Sequence, residues 1–223
     1  MSDSAAARVP PVLPERIGRY RITSRLGRGA MGVVYAGYDD VIGREVAIKV
    51  MTADLERDAE TSARFAREAQ LTSRLQHRHI VTVFDLGESD GRPYIVMERL
   101  NGKTLGEFLR QERPTLEHRL ELMVQVCDGL AAAHAQGIFH RDIKPGNLFV
   151  QSDGVLKILD FGVARRGTSD MTAAGIIVGT PDYMSPEQAR GLEVDARSDV
   201  FSAGAVFYFC LLYTSDAADD TPC

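Results

Sequence analysis

Between Ile138 and Val150 the chain reads I-F-H-R-D-I-K-P-G-N-L-F-V, and His140, Arg141, Asp142, Lys144 and Asn147 crowd into eight positions. Pro145 stops a helix from running through this stretch and biases Lys144 towards an extended backbone. A short charged loop of this kind can be a solvated surface turn. Its residue types also suit phosphoryl transfer. Asp142 would accept the proton of an attacking hydroxyl, Lys144 would neutralise the migrating group, and Asn147 would hold a Mg²⁺. Apolar Ile138 and Phe139 before the loop, and Leu148, Phe149 and Val150 after it, would anchor both ends.

Other groups could serve the same chemistry. Asp160 stands at the exit of the apolar run V-L-K-I-L-D-F-G, thirteen residues after Asn147. An Asp there, with Gly162 in a flexible turn, is either a Mg²⁺ ligand or a turn former. Residues 26–35 read L-G-R-G-A-M-G-V-V-Y, and glycines at 27, 29 and 32 let backbone N–H groups approach phosphates. A plain flexible hairpin has the same composition. The run leads into a strand instead of a helix and lacks Gly-Lys-Ser/Thr, so it is neither a dinucleotide fingerprint nor a Walker loop. Lys49 closes V-A-I-K and falls on the strand face opposite Ile48, where it faces solvent or a carboxylate. Glu68 lies within the apolar stripe Phe65, Ala69, Thr72 and Leu75 of a helix expected over 61–76. A carboxylate in such a stripe needs a charged partner.

Positioning these groups requires a particular set of elements. Apolar alternation predicts strands over 19–26, 33–38, 45–51, 80–86 and 93–97, with turns at 39–43 and 88–91. An apolar-to-polar switch and a glycine at 98–102 mark a boundary between two lobes. Helices are expected over 104–111 and 116–136. The longer one would bury Leu120, Val124, Cys127 and Ala131 and end at Gly137. His134 and Cys127 read as packing residues, and Arg64, Arg67, Arg74, His77 and His79 as a solvated face. A hydrophobic helix begins at Ala196. Residues 165–178, rich in Gly, Ser, Thr and Ala, should form a mobile loop. Residues 1–16, with Pro10, Pro11 and Pro14, read as a disordered lead-in.

Composition narrows the class further. A chain of 223 residues, 44% hydrophobic and 26% charged, has the balance of a soluble globular protein large enough for a sizeable core. Its net charge of −5 argues against a nucleic-acid partner. Only Lys49, Lys103, Lys144 and Lys157 among the 26 basic residues are lysine, so a lysine inside a motif is informative. Cys127, Cys210 and Cys223 have no metal-ligand spacing and form no even framework, which fits a reducing compartment. The apolar run 201–213 is too short to span a bilayer.

Taken together, H-R-D-I-K-P-G-N, the glycine-rich loop, V-A-I-K, D-F-G and S-P-E resemble the bacterial, eukaryotic-type serine/threonine protein kinases over residues 17–209. The resemblance implies an α+β, two-lobed kinase fold: an antiparallel-sheet N-lobe with one main helix at 17–97, a hinge at 98–102, and a mostly helical, incomplete C-lobe at 103–209. It implies ATP and Mg²⁺ as cofactors and protein substrates bearing Ser or Thr. ATP would be bound by Leu26, Gly27, Gly29, Gly32, Val34, Ala47, Lys49 paired with Glu68, the gatekeeper Met97, and the backbone of Glu98 and Leu100. Asp142 and Lys144 would be catalytic, and Asn147 and Asp160 would hold metal. Phe161 would pack inward, Asp199 would accept hydrogen bonds from the catalytic-loop backbone, and Thr180 would help choose a hydroxyl substrate. Arg141 would pair with a loop phosphate at Thr172, Thr168 or Ser169. In the family Glu187 pairs with an Arg much later in the fold, in a region expected to be missing here, and Ser185 stands where the family more often has Ala. The resemblance also implies a cytoplasmic kinase domain, whose parent could be membrane-anchored by a missing C-terminal segment and could form a homodimer through the N-lobe.

Two other readings compete. A non-catalytic scaffold of kinase shape would be expected to lack one of Lys49, Glu68, Asp142, Asn147 or Asp160, and all five are present. A small-molecule phosphotransferase is disfavoured by Lys144 two places after Asp142 and by the S-P-E block. After Phe209 the pattern breaks into C-L-L-Y-T-S-D-A-A-D-D-T-P-C, which reads as a non-native tail from a sequencing-adapter frame over 210–223, leaving the fragment inactive.

Overall fold

The structure, a computed structural model, describes residues 13–29, 32–51, 70, 72–161 and 181–212. The alternating runs of the first hundred residues pair as six antiparallel strands. They are β1 (Arg16–Ile17), β2 (Tyr20–Gly29), β3 (Gly32–Asp39), β4 (Arg44–Met51), β5 (Val83–Ser89) and β6 (Arg92–Glu98), in the order β1-β2-β3-β4-β6-β5. On one face Ile17, Tyr20, Val46, Ile48, Tyr94 and Val96 form a closed apolar cluster. Pairing of Val34 with Lys49, and of Ala47 with Met97, sets Val34, Ala47, Lys49 and Met97 together on the other face. Leu26 occupies a bulge in β2 and is half exposed.

Beyond β6 the chain crosses residues 99–101 and enters a second, three-stranded sheet. There β7 (Gly102–Thr104) pairs with β8 (Leu148–Gln151), and β8 pairs with β9 (Leu156–Ile158). The two sheets are stitched by backbone. Ile80 makes a parallel bridge to Ile158, where Ile158 N donates to His79 O at 2.9 Å and Val81 N to Ile158 O at 3.0 Å. The strand expected from residue 80 therefore begins at Val83, because residues 79–81 are engaged by β9.

Helix α1 (Leu105–Glu112) starts at a capping box, in which Thr104 accepts from Glu107 N and the Glu107 carboxylate accepts from Thr104 N. The Thr104 bonds hold the Glu107 carboxyl below its usual range. Helix α2 (Leu116–His134) is capped by Thr115, and its end is closed by Gly137 N to His134 O and Ile138 N to Ala133 O. Helices α3 (Pro186–Ala189) and α4 (Ala196–Leu212) complete the described chain. The main core gathers Leu105, Leu109, Leu122, Val126, Leu130, Leu148, Ile158, Phe161 and Val206.

The buried face of α2 differs from expectation. Leu120, Val124, Cys127 and Ala131 are exposed, while Leu122, Met123, Val126, Gly129, Leu130 and Ala133 are buried. Gly129 is the reason this face wins. A Cβ there would lie 2.8 Å from Ile158 Cδ1 and 3.1 Å from His79 O, so only glycine lets α2 approach the stitched strands. The helix expected over 61–76 shows its last helical residue at Thr72, and Leu75 N bonds Thr72 O at 3.0 Å before turning into the core. Residues 1–12, the loop at 165–178 and the tail at 213–223 lie outside the described residues. Cys210 is buried within α4, and its carbonyl accepts from Arg119 Nη1 at 3.0 Å.

Gly32 makes a sharper demand than its neighbours. A Cβ there would meet Val50 O at 2.2 Å, whereas Gly27 and Gly29 face open space. Gly32→Ala should destabilise the fold by about 1–3 kcal/mol through strand crowding. Gly27→Ala should leave the melting temperature close to parental, and thermal denaturation of both variants checks the contrast.

Candidate active site

The loop following α2 is shaped by one buried carboxylate. Asp199, fully enclosed in the first turn of α4, accepts from His140 N at 2.8 Å, Arg141 N at 2.7 Å and His134 Nε2 at 2.8 Å. His140 is itself enclosed, donates through Nε2 to Leu159 O at 2.6 Å and accepts from Asp142 N at 3.2 Å. These partners require the neutral tautomer protonated on Nε2. Burial, set against attraction from Asp199, holds its pKa below the ordinary 6.5. The Phe161 ring packs against the imidazole at 4.8 Å.

At the loop's centre, one oxygen of Asp142, Oδ2, meets Lys144 Nζ at 2.7 Å and Asn147 Nδ2 at 3.0 Å. Asn147 Nδ2 also bonds Asp142 O at 2.8 Å. With its nitrogen engaged on Asp142, Asn147 turns an amide oxygen, a hard ligand for Mg²⁺, the other way. Asn147 O accepts from Leu159 N at 2.9 Å, which fixes the residue before Asp160. Asp160 has φ +55°, unusual for a residue with a Cβ, and its Oδ1 meets Lys49 Nζ at 2.8 Å. The structure thus brings a lysine from β4, two carboxylates and an amide from opposite sides of the stitched sheets to one place. Among the described residues no three His, Cys, Asp or Glu cluster to hold a metal by themselves. A pair of oxygen ligands suits Mg²⁺, which keeps waters and takes phosphate oxygens.

This constellation sits within a span that matches one family. The protein kinase domain family matches residues 20–219. The chain belongs to it. A probable serine/threonine-protein kinase of Corynebacterium efficiens is 45% identical over 198 residues, covering 85% of this chain and 30% of that protein. The serine/threonine-protein kinase PknB of Mycobacterium tuberculosis is 41% identical over 212 residues, covering 92% of this chain and 34% of that protein. The kinase domain of Mycobacterium tuberculosis PknI superposes with a TM-score of 0.76 at 28% identity, covering 95% of this chain and 82% of that one. The chain thus spans about a third of the length of these curated relatives. Its fold is the two-lobed α+β kinase fold, and the family uses ATP and a divalent metal.

Within the kinase domain, some expected partners lie outside the described residues and some residues have unexpected partners. Lys49 contacts Asp160, while Glu68, its expected partner, lies outside the described residues, as do Thr168, Ser169, Thr172 and Thr180. Glu187, whose family partner Arg is expected to be missing, accepts a hydrogen bond from the Ser198 hydroxyl, which lowers its pKa. His79 is not a solvated bystander: its Nδ1 meets Leu156 O at 3.0 Å, and its N–H bonds His77 Nδ1 at 3.2 Å. His134 packs on Phe139 but also grips Asp199.

Sequence reasoning also passed over Lys157. Its buried ammonium meets Glu98 Oε1 at 2.7 Å and Ile80 O at 3.3 Å, and Glu98 Oε1 accepts from Thr82 N at 2.7 Å. Glu98 N donates to Thr82 O at 2.9 Å. The rarity of lysine in this chain was the available signal.

The enclosed His140 makes stability depend on pH. Between its depressed folded pKa and 6.5, the unfolded chain binds more protons than the folded one, so stability falls as pH drops below about 6.5. Melting temperatures read from pH 7.5 to 5 should decline. The decline should be shallower in His140→Gln, which has no imidazole to charge.

Proposed function

We propose that the chain transfers the γ-phosphoryl group of ATP to Ser or Thr hydroxyls of proteins. The observation that carries this reading is the convergence of Lys144 and Asn147 on Asp142 Oδ2, beside the Lys49–Asp160 contact. Asp142 accepts the proton of the attacking hydroxyl, and Lys144 balances negative charge beside it. Asn147 and Asp160 hold Mg²⁺. Lys49, with Glu68, binds the α- and β-phosphates. Leu26, Val34, Ala47 and Met97 form the apolar wall for the nucleotide, Gly27, Gly29 and Gly32 its phosphate cover, and the backbone of Glu98 and Leu100 the adenine edge. The Glu98 side chain is engaged by Lys157 and Thr82 N, and its N–H by Thr82 O, which leaves its carbonyl to serve the ligand. Bound ATP supplies the transferable group, and the protein's part is positioning and charge stabilisation.

The same reading extends to control. Arg141 pairs with a phosphorylated Thr172, or with Thr168 or Ser169, and a phosphate on an Arg orders a loop of this composition. Thr180 helps select the hydroxyl substrate. Among the described residues no helix is long and apolar enough to cross a membrane.

Lys49→Met and Asp142→Asn should each lower phosphate incorporation into a protein substrate by roughly a hundredfold or more, with an unchanged far-UV spectrum. Near-parental turnover in either would sink the mechanism. Incubation with MgATP should add phosphate at Thr172, Thr168 or Ser169, read by mass spectrometry; an active enzyme unmodified at all three would overturn the regulatory assignment.

A further inference from the structure

We propose that Gln188, in α3, is a positioning residue for Asp142. This rests on the kinase reading above and adds a residue outside the catalytic loop to it. Arg141, which precedes Asp142, has φ +66°, a left-handed backbone that a residue with a Cβ adopts only when its surroundings enforce it. The surroundings do so at three points. Arg141 N donates to Asp199 Oδ1 at 2.7 Å, Arg141 O accepts from Gln188 Nε2 at 2.7 Å, and Asp142 N donates to His140 Nδ1 at 3.2 Å. The peptide unit joining Arg141 to Asp142 is therefore held at its oxygen by Gln188 and at its hydrogen by His140. Its plane sets the direction in which the Asp142 side chain leaves the backbone.

Gln188 can do this because its other end is fixed. Its Oε1 accepts from Ser185 N at 3.0 Å, and its own N–H donates to Ser185 Oγ at 3.4 Å, forming a capping box at the start of α3. Ser185 is fully buried, which anchors the box in the protein interior. The amide orientation follows from its neighbours, since a backbone N–H only donates and a carbonyl only accepts. Glutamine alone among side chains of this length presents an acceptor to Ser185 and a donor to Arg141. The amide is thus locked by the main-chain N–H of Ser185, while the serine hydroxyl, where the family more often has alanine, caps the Gln188 N–H and serves the helix start.

Capping and positioning are separable by substitution. Gln188→Glu keeps an acceptor for Ser185 N but removes the donor to Arg141 O. Ser185→Ala removes the hydroxyl cap and keeps that donor. In the 223-residue chain, Gln188→Glu should lower kcat roughly tenfold or more, the scale of a misplaced catalytic group. Its KM for ATP and its melting temperature should stay near parental. Ser185→Ala should lower the melting temperature while changing kcat little. Parental kcat in Gln188→Glu, or a kcat loss that merely tracks the melting temperature in both variants, would overturn the assignment. Inactivity of the 223-residue parent, which the non-native tail leads one to expect, leaves the kinase reading standing and moves the test to the folded protein. Amide exchange across residues 139–142, measured on the same proteins without ATP, would then decide the clamp: faster exchange in Gln188→Glu supports it, and equal exchange overturns it.

Discussion

A single enclosed carboxylate, that of Asp199, is the constraint on which the candidate site depends. Burying it alone would be costly, and the structure meets that cost by surrounding it with three N–H donors. Two of those donors are consecutive backbone amides of the loop. The loop's shape is thus dictated from α4, a helix more than fifty residues further along the chain. His140, pinned in turn, offers its two ring nitrogens to Leu159 O and Asp142 N, linking the residue before Asp160 to the backbone amide of Asp142. The residues around Asp142 and Asp160 are registered against one another through one neutral imidazole.

Much of this was legible in the residues themselves. The strands and helices fall within a few positions of the apolar runs that announce them, and the inward packing of Phe161 follows the pattern. What escaped was what only tertiary partners decide. Helix α2 is apolar on two sides. Nothing in its own spacing says that Leu122, Val126 and Leu130 pack while Leu116, Leu120 and Val124 stay exposed. The choice is made at Gly129 by strands far away in sequence. His79, His134 and Lys157 were read as bystanders or passed over because their partners lie 77, 65 and 59 residues away.

The Lys157–Glu98 pair shows how a polar core can serve a binding cleft. Its ammonium is buried, yet every contact it makes lies on a segment that joins the two sheets. Loss of either partner would strand a charge in the interior, which is far more costly than loss of a surface pair. The arrangement ties the end of β6 to β9 through the side chains of Glu98 and Lys157.

The stitch between Ile80 and Ile158 has a mechanical meaning. A backbone bridge at one point makes a pivot, and any rocking of the sheets about it displaces atoms in proportion to their distance from it. Asp160 follows Ile158 by two residues, at most about 7 Å of chain. The glycine-bearing β2 lies four ladders from β5, about 19 Å at the usual strand spacing. A small angular opening about this point would therefore carry β2 and β3 through a wider arc than Asp160. The lever is long at the glycine-bearing strands and short at Asp160.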